Sequence, residues 1–236
     1  MTGLAITERS SPNQDARPDQ QAVDILLLHY TGMESGEAAL ARMCDPAAKV
    51  SAHYCVEEDG RIVQLVGEDR RAWHAGVALW KGARDINARS IGIEIVNPGH
   101  EFGYRPFPEA QMRSVIALAR DVLKRHTIPP ERVLGHSDVA PLRKEDPGEL
   151  FDWPRLAAAG IGLWPAYGTA VDPGVEADGV AAALSAIGYG FIEDDLPAVI
   201  RAFQRHYRPA AITGEADDET RHRLAALQDL LEAPTR

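Results

Sequence analysis

Residues Val23 to His29 read Val-Asp-Ile-Leu-Leu-Leu-His, a short continuous apolar run ended by a histidine, which is the pattern of a buried strand. Ser35 to Met43 predicts a short helix. Two apolar runs, His53–Val56 and Arg61–Val66, flank Glu57-Glu58-Asp59-Gly60 and predict a hairpin with an Asp-Gly turn. Ser90 to Val96 has the length and β-branched content of a further strand. From Glu109 to His126, apolar residues at Met112, Val115, Ile116, Ala119, Val122 and Leu123 recur at spacings of three and four, one face of an amphipathic helix. Arg132 to His136 predicts a last strand running into a long polar loop.

The pattern changes near residues 165–178, where Trp164 to Gly174 is rich in Pro and Gly and has no period. Only helical patterns follow it. One carries Val180, Leu184 and Ile187 and stops at Gly188-Tyr189-Gly190. A second carries Leu196, Val199, Ile200, Phe203 and Tyr207. A third begins at the acidic cap Asp217-Asp218-Glu219 and carries Leu224, Leu227 and Leu231. The expected fold is α/β, a central mixed β-sheet flanked by helices, plus a small C-terminal three-helix domain. The corresponding boundaries are an N-terminal extension over 1–22, the α/β unit over 23–164, a linker over 165–174 and the helical unit over 175–236.

Composition narrows the function. The chain has 236 residues, 45% hydrophobic and 25% charged, enough for a substantial core. Its 25 Lys and Arg against 35 Asp and Glu give a net charge of −10, with no local basic stripe, so a nucleic-acid partner is not expected. From Asp172 onward, 12 acidic residues face 6 basic ones, so the helical unit carries more than half of the net charge. Apolar runs reach about six residues against the roughly 20 that span a bilayer, so no membrane insertion is expected. The first twenty residues hold Arg9, Pro12, Arg17 and Pro18 and no apolar core of a signal peptide. The expectation is therefore cytoplasmic, or periplasmic if the N-terminus is incomplete. Cys44 and Cys55 make neither a disulfide framework nor a CxxC site and read as inert. No protein partner is indicated.

The metal-capable residues fall in telling places. His29 and His136 each end an apolar strand, and the ends of neighbouring strands in an α/β sheet form one rim. The loop after His136 is dense in charge and stiffened by Pro141 and Pro147, so it can return Asp146 to His136. Two His and one carboxylate leave open the fourth position of a tetrahedral zinc, as catalytic sites do. Glu94 stands inside an otherwise apolar strand, where a carboxylate needs a reason, and service as a general base beside such a metal is one. Spacing alone equally allows two hydrogen-bonded strand-end histidines, a turn aspartate ahead of Pro147 and a solvated Lys144. A serine hydrolase is disfavoured because Gly-x-Ser-x-Gly is absent.

Five motifs in order carry a resemblance: His29-Tyr30-Thr31, Val50 to Tyr54, Ala72-Trp73-His74-Ala75-Gly76, Ile91 to Asn97, and Gly135 to Gly148. Together they resemble the zinc-dependent N-acetylmuramoyl-L-alanine amidases of the AmpD and AmiD type, which share the peptidoglycan-recognition-protein fold, over roughly residues 23–158. The C-terminal unit resembles a peptidoglycan-binding domain through Ile187–Gly190, Ala198–Gln204, Thr213-Gly214 and Asp217–Leu224. The resemblance implies one zinc ion on His29, His136 and Asp146, with Glu94 as the catalytic glutamate and Lys144 facing the reacting carbonyl. Trp73, His74 and Asn97 fall near the substrate groove, and His53 either lines it or is a satisfied core histidine. His100, His126, His206 and His222 read as surface residues. The implied substrate is a muropeptide or peptidoglycan, cut between N-acetylmuramic acid, as the 1,6-anhydro form, and L-alanine in cell-wall recycling. Its stem-peptide carboxylates would call on local cations such as Arg70, Arg71, Lys81 or Arg84. Two other readings remain, an amidase of polymeric wall outside the membrane and a recognition module that binds without cutting.

Overall fold

A computed structural model describes residues 4–19, 21–165 and 174–233. The elements in chain order are β1 (Ile6–Glu8), β2 (Gln14–Ala16), β3 (Ile25–Tyr30), α1 (Gly36–Cys44), β4 (Tyr54–Val56), β5 (Ile62–Gln64) and β6 (Arg70–Ala72). There follow α2 (Ile86–Arg89), β7 (Ser90–Ile95), α3 (Gly99–Phe102), α4 (Glu109–Arg125), β8 (Val133–Gly135), α5 (His136–Val139) and α6 (Trp153–Ala158). Helices α7 (Val180–Ile187), α8 (Leu196–Tyr207) and α9 (Asp218–Glu232) complete the described chain. Most of the linker expected at 165–174 lies outside the described residues. Among those residues, no helix is long and apolar enough to cross a membrane.

Six strands form a mixed sheet in the order β1-β5-β4-β7-β3-β8, with β4–β5 antiparallel and the other pairs parallel. The expected hairpin is β4–β5, and Gly60 turns it with a φ of 89° that a side chain would resist. The segment ahead of β3, set apart as an extension by its polar sequence, supplies β1 beside β5 and β2 antiparallel to β6.

Strand alternation sorts the side chains. Leu26, Leu28, Ile91, Ile93 and Ile95 pack against Met112, Val115, Leu118, Ala119 and Val122, the apolar face of α4. Ile25 and Leu27 point the other way, into a cluster that also takes Leu134, Val180, Leu184, Val199, Phe203, Leu224 and Leu227. The C-terminal helices thus share a core with the sheet. Two of them start on a side-chain cap: Asp195 caps α8, with Pro197 in its first turn, and Asp217 caps α9. His206, expected on the surface, is instead 2% exposed, its ring stacked between Trp153 and Tyr207. It faces inward because α8 turns that position toward α5.

Candidate metal centre and active site

His29 shares the parity of Ile25 and Leu27, and Ser90, Gly92 and Glu94 occupy the matching positions of β7. The register pairs His29 with Glu94 and Leu28 with Gly135 of β8, so His29, Glu94 and His136 meet at one end of three adjacent parallel strands. The return loop brings Asp146 to them, and a backbone hydrogen bond from Ser137 N–H to the Asp146 carbonyl, 2.9 Å, closes it.

Three buried atoms converge: His29 Nδ1, His136 Nδ1 and Asp146 Oδ2, each 3.0 Å from the other two. The opposite nitrogen of each ring decides the tautomer. His136 Nε2 donates to the Ala75 carbonyl at 3.0 Å. His29 Nε2 donates to His74 Nδ1 at 3.0 Å, His74 Nε2 donates to Ser90 Oγ at 3.3 Å, and Ser90 donates to the Ile86 carbonyl at 2.6 Å. Both Nδ1 atoms therefore present lone pairs to the carboxylate, an all-acceptor triangle that only a cation completes. A tetrahedral ion with bonds of roughly 2.0–2.1 Å needs donor atoms about 3.3 Å apart, so nitrogen, nitrogen and oxygen at this spacing fit zinc after a small expansion.

Burial and the neighbouring His136 hold the His29 imidazole down to about 4, which keeps it neutral. Burial pushes Glu94 well above the usual carboxylate range; Asp146 adds to this and Lys144 opposes it. Glu94 Oε2 is buried with no hydrogen-bond partner.

The triangle lies at a cleft of about 450 Å³ lined by Tyr30, Trp73, His74, Glu94, Arg143 and Lys144, among others. Trp73, His74, Glu94 and Lys144 are thus gathered at one cleft beside the triangle. His53 and Asn97 are not among the lining residues. His53 is fully buried, accepting from Gly92 N–H at 2.9 Å and donating to the Arg70 carbonyl at 3.1 Å, so it is a satisfied core histidine. Asn97 is equally buried, accepting from Gly99 N–H and donating to the Arg105 carbonyl, and it holds a turn. The cations proposed for an anionic substrate are also elsewhere: Arg71 pairs with Asp15 and Asp85, and Arg70 donates to Gln14. Lys81 and Arg84 are likewise absent from the lining, where the cationic residues are Arg42, Arg143 and Lys144. His100 reaches the mouth, bonded to Tyr30 at 2.9 Å, while His126 bonds Glu68 at 2.8 Å. Burial pushes the Cys55 thiol up, in keeping with an inert cysteine.

Three contributors escape sequence reasoning. Ser90 ends the histidine relay. Asn87 Oδ1 accepts from the backbone of His74 and Ala75 at 3.0 and 2.7 Å and so sets the loop that meets both histidines. Arg143 donates to the carbonyls of Ala75 and Val77. For Ser90 a signal existed: Ser90, Gly92 and Glu94 alternate with three isoleucines, which marks a polar strand face.

Comparison with known proteins gives a consistent picture. Residues 19–149 match the family model described as N-acetylmuramoyl-L-alanine amidase. The chain is 38% identical to N-acetylmuramoyl-L-alanine amidase AmiD of Escherichia coli, over 94% of this chain and 90% of that protein. It is 34% identical to 1,6-anhydro-N-acetylmuramyl-L-alanine amidase AmpD of Enterobacter cloacae, over 63% of this chain and 86% of the other. Among solved structures, the E. coli AmiD complex with anhydro-N-acetylmuramic acid-L-Ala-D-γ-Glu-L-Lys superposes with a TM-score of 0.78, covering 90% of this chain and 93% of that one. AmpDh3 of Pseudomonas aeruginosa with an anhydromuramic pentapeptide, 32% identical, gives 0.80 over 95% and 96%.

Proposed function

The chain belongs to the N-acetylmuramoyl-L-alanine amidase family, and on that premise we propose that it cuts soluble 1,6-anhydro-muropeptides. The bond broken joins the lactyl carbonyl of N-acetylmuramic acid to L-alanine, and one zinc ion is held by His29, His136 and Asp146. The observation that carries the reading is the buried triangle of two imidazole lone pairs and one carboxylate beside an unpartnered Glu94 oxygen. The anhydro-muropeptides bound in the AmiD and AmpDh3 structures support the substrate class.

Zinc, when bound, supplies Lewis-acid polarisation of the carbonyl and brings the pKa of water down toward about 7. His74 and Ser90 hold the His29 ring in the tautomer that ligates, and the Ala75 carbonyl does the same for His136. Glu94 Oε2 takes the proton of the attacking water and returns it to the departing alanine nitrogen. Lys144 sets a fixed cation beside the carbonyl oxygen, where charge gathers as the nucleophile adds. Trp73 walls the cleft against the glycan or the first stem residues.

The test incubates zinc-loaded protein with 1,6-anhydro-N-acetylmuramyl tripeptide and, separately, with intact sacculi, following peptide release by mass spectrometry with a chelator control. Chelator-sensitive cleavage confined to the soluble compound is expected and fits a recycling role in the cytoplasm. Efficient release from sacculi reassigns the enzyme to polymeric wall. Tight binding without cleavage of either makes the chain a recognition module.

A further inference from the structure

Helix α8 belongs to the C-terminal unit, yet it reaches both ends of the loop that carries two of the three metal-capable residues. At one end is Asp138, two residues after His136. Its Oδ2 accepts from the Gly135 N–H and from His206 Nδ1, both at 2.7 Å, and its Oδ1 accepts from the Tyr189 hydroxyl at 2.7 Å. Asp138 is fully buried, so these donors are what makes a carboxylate tolerable there. At the other end Glu145, next to Asp146, pairs with Arg205 of the same helix. Consecutive residues Arg205 and His206 thus grip positions flanking Asp146 and His136.

The grip is stiff at its centre. The His206 ring is 3.7 Å from the Trp153 ring and 3.9 Å from that of Tyr207, centroid to centroid. Its Nδ1 faces Asp138, and its Nε2 is buried without a hydrogen-bond partner. Tyr189, from the turn after α7, also packs on Trp80 and Phe203, which ties the Asp138 cluster into the shared core.

We propose that His206, Tyr189 and Arg205 are positioning residues for the metal site, holding Asp138 and Glu145 so that His136 and Asp146 stay at ligating distance. The C-terminal unit is, on this inference, a structural part of the active centre. The inference rests on the zinc reading above.

The experiment measures zinc affinity of the full chain by chelator competition for wild type, His206→Leu, His206→Asn, Arg205→Ala and Tyr189→Phe, with far-UV circular dichroism as the check of folding. His206→Leu removes the donor and is expected to weaken zinc binding about 10-fold, the usual effect of losing a group that orients a ligand. His206→Asn offers an amide N–H near the position of Nδ1 and restores most of the affinity, which a mere packing role does not predict. Tyr189→Phe and Arg205→Ala each weaken zinc binding by about 3-fold, a smaller share of the same effect. Wild-type affinity in a folded His206→Leu protein overturns the inference. If His206→Leu does not fold, wild-type affinity in both Tyr189→Phe and Arg205→Ala overturns it. A wild-type chain that binds no zinc overturns the site reading itself and the inference with it.

Discussion

His29 and Glu94 are register partners on the adjacent parallel strands β3 and β7, and both side chains point to the same face of the sheet. A lone-pair nitrogen and an unpartnered carboxylate oxygen therefore sit side by side on rigid backbone. The roles separate by substitution. Glu94→Gln keeps the shape and the metal-binding triangle but cannot accept a proton, so it is expected to retain full zinc content and lose roughly 10²–10⁴-fold in kcat. Metal analysis and steady-state kinetics on the anhydro-muropeptide check this, and near-normal turnover in metal-loaded protein removes Glu94 as base.

Asp146→Ala removes the one anionic member of the triangle. Zinc content after dialysis is expected to fall well below one per chain, because two neutral imidazoles lack the charge and the third bond that tetrahedral sites use. Full occupancy in that variant excludes Asp146 as a ligand.

Gly92 tests the relay behind His29. A Cβ built there meets His74 Nδ1 at 2.6 Å, and Gly92 lies in a regular strand where alanine is otherwise acceptable. Gly92→Ala must push the His74 ring off His29 Nε2. The expected outcome is a folded protein whose zinc affinity drops by about 10-fold, read by chelator competition.

How far the sequence reveals this site depends on which contacts are local. β3, β7, β8 and α4 show as apolar runs or periods because each buries one or two full faces. β1, β2 and β6 do not, since three-residue strands on polar segments are held by backbone pairing with distant partners. His29 stands more than a hundred residues before His136 and Asp146, so its role beside them as a ligand is implied by the family motifs and not by local spacing. His53 and Asn97 illustrate the converse: they sit inside those motifs, yet each is consumed by backbone groups that no pattern predicts. His206 follows the same rule, its surroundings being set by α5 and α6.

Glu68 carries a pH dependence of stability. Its carboxylate accepts from Arg125, His126 and Tyr54, and although burial opposes ionisation these donors hold its pKa at about 2. A depressed carboxylate stabilises the fold fully above its unfolded value of about 4.3, and that contribution fades as pH falls through about 2. Glu68→Gln is therefore expected to cost about 2 kcal/mol at pH 7, the network being partly open to water, and much less near pH 2. Urea unfolding at the two pH values measures the difference, and an equal cost at both rejects the ionic account.

The shared core makes a last prediction about cooperativity. Phe203 of α8 is fully buried in one cluster with Ile25 and Leu27 of β3, Leu134 of β8, Leu184 of α7 and Leu224 of α9. Phe203→Ala leaves a cavity between the helices and the sheet, with an expected cost of about 3–5 kcal/mol. Because the lost contacts belong to both parts, the loss is expected as a shift of a single unfolding transition in metal-free protein. Fluorescence reports on the four tryptophans, of which Trp80 and Trp153 lie beneath that interface, and circular dichroism reports on the helices. Coincident midpoints by the two probes are the expected result, whereas two resolved transitions mean that the C-terminal helices unfold on their own.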